Sequence, residues 1–123
     1  MLNQIMTMNI KEIAVAFSNG KFESVYPDLS ENIIWNIAGE RILSGKAEVI
    51  EYCNGVAEYF KSVTTNFTTY NVIVSEDRVS INGGAEFIRE GKIISAVESC
   101  DVYEFDNNGK LLKVTSYCIH LKI

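Results

Sequence analysis

Neither a metal site nor a disulfide framework can be assembled from what this sequence holds. It has one histidine, His120, and three cysteines, Cys53, Cys100 and Cys118, with no Cys-x-x-Cys spacing among them. Zinc sets draw on four such ligands at short spacings, so no metal is expected. An odd, scattered thiol count reads instead as small apolar residues in a reducing compartment. Basic residues are few and dispersed: 11 Lys and Arg stand against 16 Asp and Glu, for a net charge of −5. Without a basic cluster the chain is not expected to bind nucleic acid, where phosphate neutralisation supplies most of the affinity. The same reasoning excludes an anionic membrane surface as a partner. No apolar run approaches the roughly 20 residues that a membrane span needs. Met1 to Asn9 has neither a basic start nor an apolar stretch, so no signal peptide and a cytoplasmic location are expected. Proline occurs once, at Pro27. No repeat, low-complexity tract or linker interrupts the chain, and 123 residues suffice for one core. The expectation is a single domain over residues 1–123.

Hydrophobic residues make up 47% of the chain, enough for a packed interior. Their spacing changes along its length. Met6, Ile10, Ile13 and Phe17 recur at helical intervals, and Asn19-Gly20 supplies a C-terminal stop. Phe22, Val25, Tyr26 and Leu29 give a second, short apolar face that Pro27 should end. Ile33, Ile34, Trp35 and Ile37 read as a strand. Gly39 breaks it, and Arg41 to Leu43 can return beside it. Ser44 is a candidate N-cap for a third helix lined by Val49, Cys53, Val56 and Phe60. From Thr64 onward the period is two. Val79, Ile81, Gly83, Ala85 and Phe87 alternate with polar positions. Glu90-Gly91-Lys92 and Asp106-Asn107-Asn108-Gly109 read as tight turns.

The order is therefore α-α-β-(β)-α-β-β-β-β, an α+β class, with antiparallel neighbours expected among the long strands. Four long strands need a covered face, and three helices in the N-terminal half are available to cover it. A curled antiparallel sheet wrapped around them makes a cone whose mouth is a small-molecule pocket. The partly apolar outer set Val102, Tyr117 and Ile119 suggests a homodimer formed through the sheet.

Trp35-Asn36-Ile37-Ala38-Gly39, the helix opening Ser44-Gly45-Lys46, Cys100-Asp101-Val102-Tyr103, Gly109-Lys110-Leu111 and Ser116-Tyr117 together resemble a known family. It is the SnoaL-like group of the nuclear transport factor 2-like superfamily, relatives of ketosteroid isomerases and polyketide cyclases. The resemblance spans roughly Ile10 to His120. It implies the cone fold, a ligand pocket inside it and a dimer, but no single activity. Alignment on Ser44-Gly45 puts Asn36 where the isomerases carry an aspartate base, and an amide cannot take up a substrate proton. Ile13 falls where they carry a tyrosine donor. Asp101 falls on their protonated aspartic acid, a case known for its raised pKa. Steroid isomerase chemistry is thus not implied.

On alternation, Asp101 shares a face with Val97, Ser99, Tyr103 and Phe105, the set large enough to fill a core. A carboxyl group there should be desolvated and its pKa raised, so that it can donate a hydrogen bond to a ligand carbonyl. On the last strand Leu112, Val114, Ser116, Cys118 and His120 share a face by alternation, and His120 is the second candidate acid/base. Trp35, Asn36, Phe17, Tyr103, Ser116 and Cys118 are the expected ligand-contacting residues. Cys118 would need a neighbouring base to act as a nucleophile, and only His120 is near in sequence. Asn82-Gly83-Gly84 reads as a bend in a strand. The functional expectation is a small-molecule-binding domain with an apolar pocket and no cofactor. The alternative is a lyase-, isomerase- or cyclase-type enzyme using Asp101 or His120 on a carbonyl-containing hydrophobic substrate.

Overall fold

A computed structural model describes residues 8–123. Helix α1 (Ile10–Ser18) begins at a reciprocal cap. The Asn9 side chain accepts from the Glu12 amide at 2.8 Å, and the Glu12 carboxylate accepts from the Asn9 amide at 3.0 Å. Ile13, Ala14 and Phe17 form its buried face. Met6, assigned to the same face from its spacing, lies outside the described residues. The helix ends on Gly20 at φ +75°, a conformation that disfavours side chains. A 3-10 helix (Glu23–Asp28) follows; Pro27 lies inside it, one residue short of its end, and Leu29 belongs to the next strand.

Strand β1 (Leu29–Ile37) turns Ile33, Trp35 and Ile37 inward and pairs with β2 (Arg41–Ser44) as a hairpin. Helix α2 (Lys46–Lys61) is capped at Gly45, not at Ser44. The contribution of Ser44 is its backbone N–H, which donates to the Glu48 carboxylate at 3.1 Å. Val49 and Cys53 are fully buried, with Val56 and Phe60 packed against the same core. Strands β3 (Thr64–Ser75), β4 (Arg78–Arg89), β5 (Lys92–Phe105) and β6 (Leu111–His120) then run as an antiparallel meander.

The six strands make one curled, open sheet in the order β2-β1-β6-β5-β4-β3. The β1–β6 pair is parallel, joining Trp35 to Val114 and Ile37 to Ser116. The long strands β3 to β6 pair antiparallel as expected, and the seam with β1 gives the otherwise antiparallel sheet a parallel pair. One edge of β1 is already taken by β2, so β6 must use the other, and the long connection from β2 to β5 permits a parallel approach. Two irregularities bend the sheet. Tyr70 is an extra residue in β3, between Thr69 and Asn71, opposite Gly83 and Asn82. Leu112 is extra in β6, so Leu111 is the fully buried residue there and Leu112 is exposed. Alternation alone had placed Leu112 inward with Val114. The concave face, α1 and α2 enclose one apolar core.

Candidate ligand-binding site

Between the concave sheet face and the helices lies a cavity of about 460 Å³. Its walls are largely aromatic. Phe17 of α1 sits edge-on to Trp35, Tyr103 and Phe22, with ring centroids 5.0, 5.8 and 5.2 Å away. Tyr52 of α2 packs edge-on against Trp35 at 5.3 Å. Phe60 stacks between Phe22 and Phe87. Such edge and offset contacts fix ring positions as well as burying area.

The polar groups converge on Asp101. The indole N–H of Trp35, a donor only, gives its hydrogen bond to Ser116 Oγ at 2.9 Å. That leaves the Ser116 hydroxyl proton free to bond Asp101, its cross-strand partner. The Tyr103 hydroxyl donates to Asp101 Oδ2 at 3.4 Å and is itself bonded by Ser18. Burial raises the Asp101 pKa above the usual carboxylate range, and the hydrogen bonds from Ser116 and Tyr103 pull it partly back. Tyr103 is fully buried and its pKa is pushed well up, so it holds its phenolic proton. Among the described residues no ion pair involves Asp101.

Phe17, Trp35, Asp101, Tyr103, Ser116, Cys118 and His120 all line this cavity. Asn36 does not. Trp35 and Ile37 point inward on either side of it, so Asn36 belongs to the convex face, level with Thr115 and Ile42. The resemblance-based alignment gave it a site position that strand parity forbids. Nor are Asp101 and His120 partners. Asp101 pairs with Ser116, whereas His120 pairs with Val97, four residues away along β5 or about 13 Å. Cys118 is exposed at the rim. Its thiol is held above its ordinary pKa by partial burial and by the Asp101 and Glu40 carboxylates, the opposite of nucleophile activation. The Cys53 thiol, on the buried face of α2, is pushed up to about 12 by desolvation.

Lining residues that went unassigned from sequence include Ser18, Glu40 and Tyr52. Tyr52 carried a signal, since it lies three residues after Val49 and four before Val56. Glu40 sits in the β1–β2 turn, where no periodicity operates.

A pH prediction follows from Asp101. A carboxyl group whose folded pKa is raised binds its proton more tightly in the native state. Stability should therefore fall as pH rises from the ordinary aspartate value through the raised one. Asp101→Asn should remove that fall while leaving contributions of other groups intact. Denaturant titrations of both proteins across that window measure the difference, and parallel curves would refute the assignment.

No family model and no curated protein sequence matches the chain. Solved structures do. An NTF2-like protein of unknown function from Cytophaga hutchinsonii is 39% identical, with 87% of this chain and 93% of that one covered at a TM-score of 0.78. A Jannaschia protein provisionally assigned as a SnoaL-like polyketide cyclase shares 11% identity over 89% of this chain and 84% of its own, at a TM-score of 0.69. An LEH-like epoxide hydrolase of M. tuberculosis shares 16% over 85% and 74%, at 0.61. The latter two are likenesses of fold. With the Cytophaga protein sharing sequence along nearly its whole length as well as fold, this chain belongs to the NTF2-like superfamily.

Proposed function

We propose that the protein is a small-molecule-binding domain whose ligand occupies the aromatic-walled cavity and is anchored at Asp101. One observation carries the reading. A carboxyl group lies without a counterion inside a cavity of ligand size, with the donors of Ser116 and Tyr103 holding it in place. A buried polar cluster open to a cavity is costly unless something completes it. Ligand screening by thermal unfolding tests this, because whatever binds only the native state must raise the transition. Hits that also quench Trp35 fluorescence in a saturable way are expected. Hits that act equally on a variant with the cavity filled by Ala85→Phe would contradict it.

The enzyme reading is kept as a second proposal. A raised Asp101 can act as acid or base next to a carbonyl, and fold neighbours include proteins named as a polyketide cyclase and an epoxide hydrolase. Asp101 and His120 would then work separately, given their separation across β5 and β6.

The convex face supports a homodimer. One cross-strand row runs Ile73, Ser80, Val102, Thr115, Asn36, Ile42, and Tyr117 and Ile119 lie beside it. Ile73, Ile42, Tyr117 and Ile119 are each more than half exposed. Sedimentation should give a dimer at micromolar concentration, and Tyr117→Lys should shift it to monomer. A wild-type monomer, or an interface well below about 1,000 Å², would end this proposal.

A further inference from the structure

We infer that the ligand is an organic cation: an amine whose ammonium group meets Asp101 and whose apolar body lies against the aromatic walls. This rests on the ligand-binding reading above and adds the sign of the charge.

The argument begins with what the cavity lining lacks. Its ionisable side chains are Glu40 from the β1–β2 turn, Tyr52 and Tyr59 from α2, Asp101 and Tyr103 from β5, and Cys118 and His120 from β6. Helix α1 adds only Ser18 and Asn19, β3 only Thr68 and Thr69, and β4 nothing titratable. Among the described residues no lysine or arginine lines it. The arginines have other partners. Arg41 lies over the Tyr52 ring, 5.4 Å from its centroid. Arg78 pairs with Glu104, and Arg89 bonds Ser62. Asp101 is thus an acid for which the protein supplies hydrogen-bond donors but no countercharge.

Three classes of ligand can be compared. An anion would meet the Asp101 and Glu40 carboxyl groups, with His120 the one basic side chain in the lining and about 13 Å along the sheet from Asp101, and would be disfavoured there. A neutral acceptor would take the Asp101 proton only while Asp101 stays protonated. A cation would supply the missing countercharge and restore Asp101 to its ionised form, with charge-assisted hydrogen bonds. The Phe17 and Trp35 rings in the wall add to the preference, because aromatic rings attract cations, whereas Tyr52 already carries Arg41 over its ring. Glu40 at the exposed rim, together with the net charge of −5, biases approach the same way.

The test uses three probes on one flat body: 2-(aminomethyl)naphthalene, 2-acetonaphthone and 2-naphthoate. Trp35, the sole tryptophan, reports on binding from the cavity wall. The amine should bind at least about ten-fold tighter than the ketone near neutral pH, and the carboxylate should bind most weakly of the three. Amine affinity should fall as pH is lowered and Asp101 takes up its proton. Asp101→Asn should weaken the amine by about ten-fold or more and abolish most of that pH dependence. Glu40 and His120, the other titratable groups at the mouth, are present in both proteins, so the difference between them isolates Asp101. The wild-type pH series stands even if the variant fails to fold. Ketone binding equal to or tighter than amine binding, or ketone affinity that rises on acidification while amine affinity is flat, would overturn the charge assignment and leave the cavity reading intact. Binding of none of the three would overturn both.

Discussion

Replacing Tyr103 by alanine should cost about 3–5 kcal/mol of stability, the usual range for deleting a large aromatic ring from a closed core. Tyr103 is 1% exposed and sits against Phe17, at the junction of the apolar interior and the polar end of the cavity. Its loss would merge the cavity with a new void and leave Ser18 and Asp101 short of a partner. Tyr103→Phe separates the two roles. The ring stays, so the cost should fall to about 1 kcal/mol for the lost hydrogen bond. The Asp101 pKa should then rise further, because a donor that stabilised its charged form is gone. The pH window over which stability falls would extend upward accordingly. Urea unfolding of both variants across pH measures each part. An unmoved pH window would show that the hydroxyl does not serve Asp101, and equal destabilisation by Phe and Ala would show that the ring adds no packing beyond its hydroxyl.

Gly83→Val should be nearly as damaging, at roughly 3 kcal/mol, for a different reason. Gly83 lies where the Tyr70 bulge folds β3 over β4. A Cβ at this position would overlap the Thr68 carbonyl oxygen, with the Thr69 Cα only 3.4 Å away. Both are backbone, so relief requires opening the bend that helps curl the sheet around the cavity. Gly55→Ala is the matched control. Gly55 is exposed within α2 and nothing lies within 4 Å of the added carbon. That change should stabilise by about 0.5–1 kcal/mol through helix propensity and reduced unfolded-state entropy. Thermal unfolding of the two variants should move in opposite directions. A Gly83 variant as stable as wild type would mean that the bend is not what confines that position.

Local features of the fold were legible because local physics produces them. The helical spacing of Ile10, Ile13 and Phe17, the alternation from Val79 to Phe87, and the turn at Asp106–Gly109 each depend on neighbours in sequence. The inward set Tyr103 and Phe105 on β5 was legible for the same reason. The parallel seam was not. Pairing of β1 with β6 depends on which edge remains free after the hairpin forms, and no residue in either strand records that. The error at Asn36 was of another kind. Ile33, Trp35 and Ile37 already defined the inner face, and an alignment to distant relatives overrode a parity that the residues themselves declared. Bulges explain the misplacement of Leu112: one extra residue reverses every facing position before it. The distance between Asp101 and His120 was out of reach for sequence reasoning. It depends on strand register, which alternation constrains only to odd or even.

The seam also governs the order in which this molecule can assemble. The hydrogen bond from Trp35 to Ser116 joins positions 81 residues apart, whereas the β5–β6 hairpin closes through the short turn at Asp106–Gly109. Loop-closure entropy makes the first of these contacts the expensive one: the length-dependent cost of a loop that long is about 4 kcal/mol, against about 1 kcal/mol for the short turn. The hairpins of the meander can form from neighbouring segments as each becomes available. The polar cluster around Asp101, the proposed ligand anchor, can be completed only after the last strand has found the first, which places the non-local step at the cavity. Ser116 thus couples the completion of folding to the creation of the pocket: a chain whose β1 and β6 have not met has the helices and the meander but no assembled Trp35–Ser116–Asp101 chain.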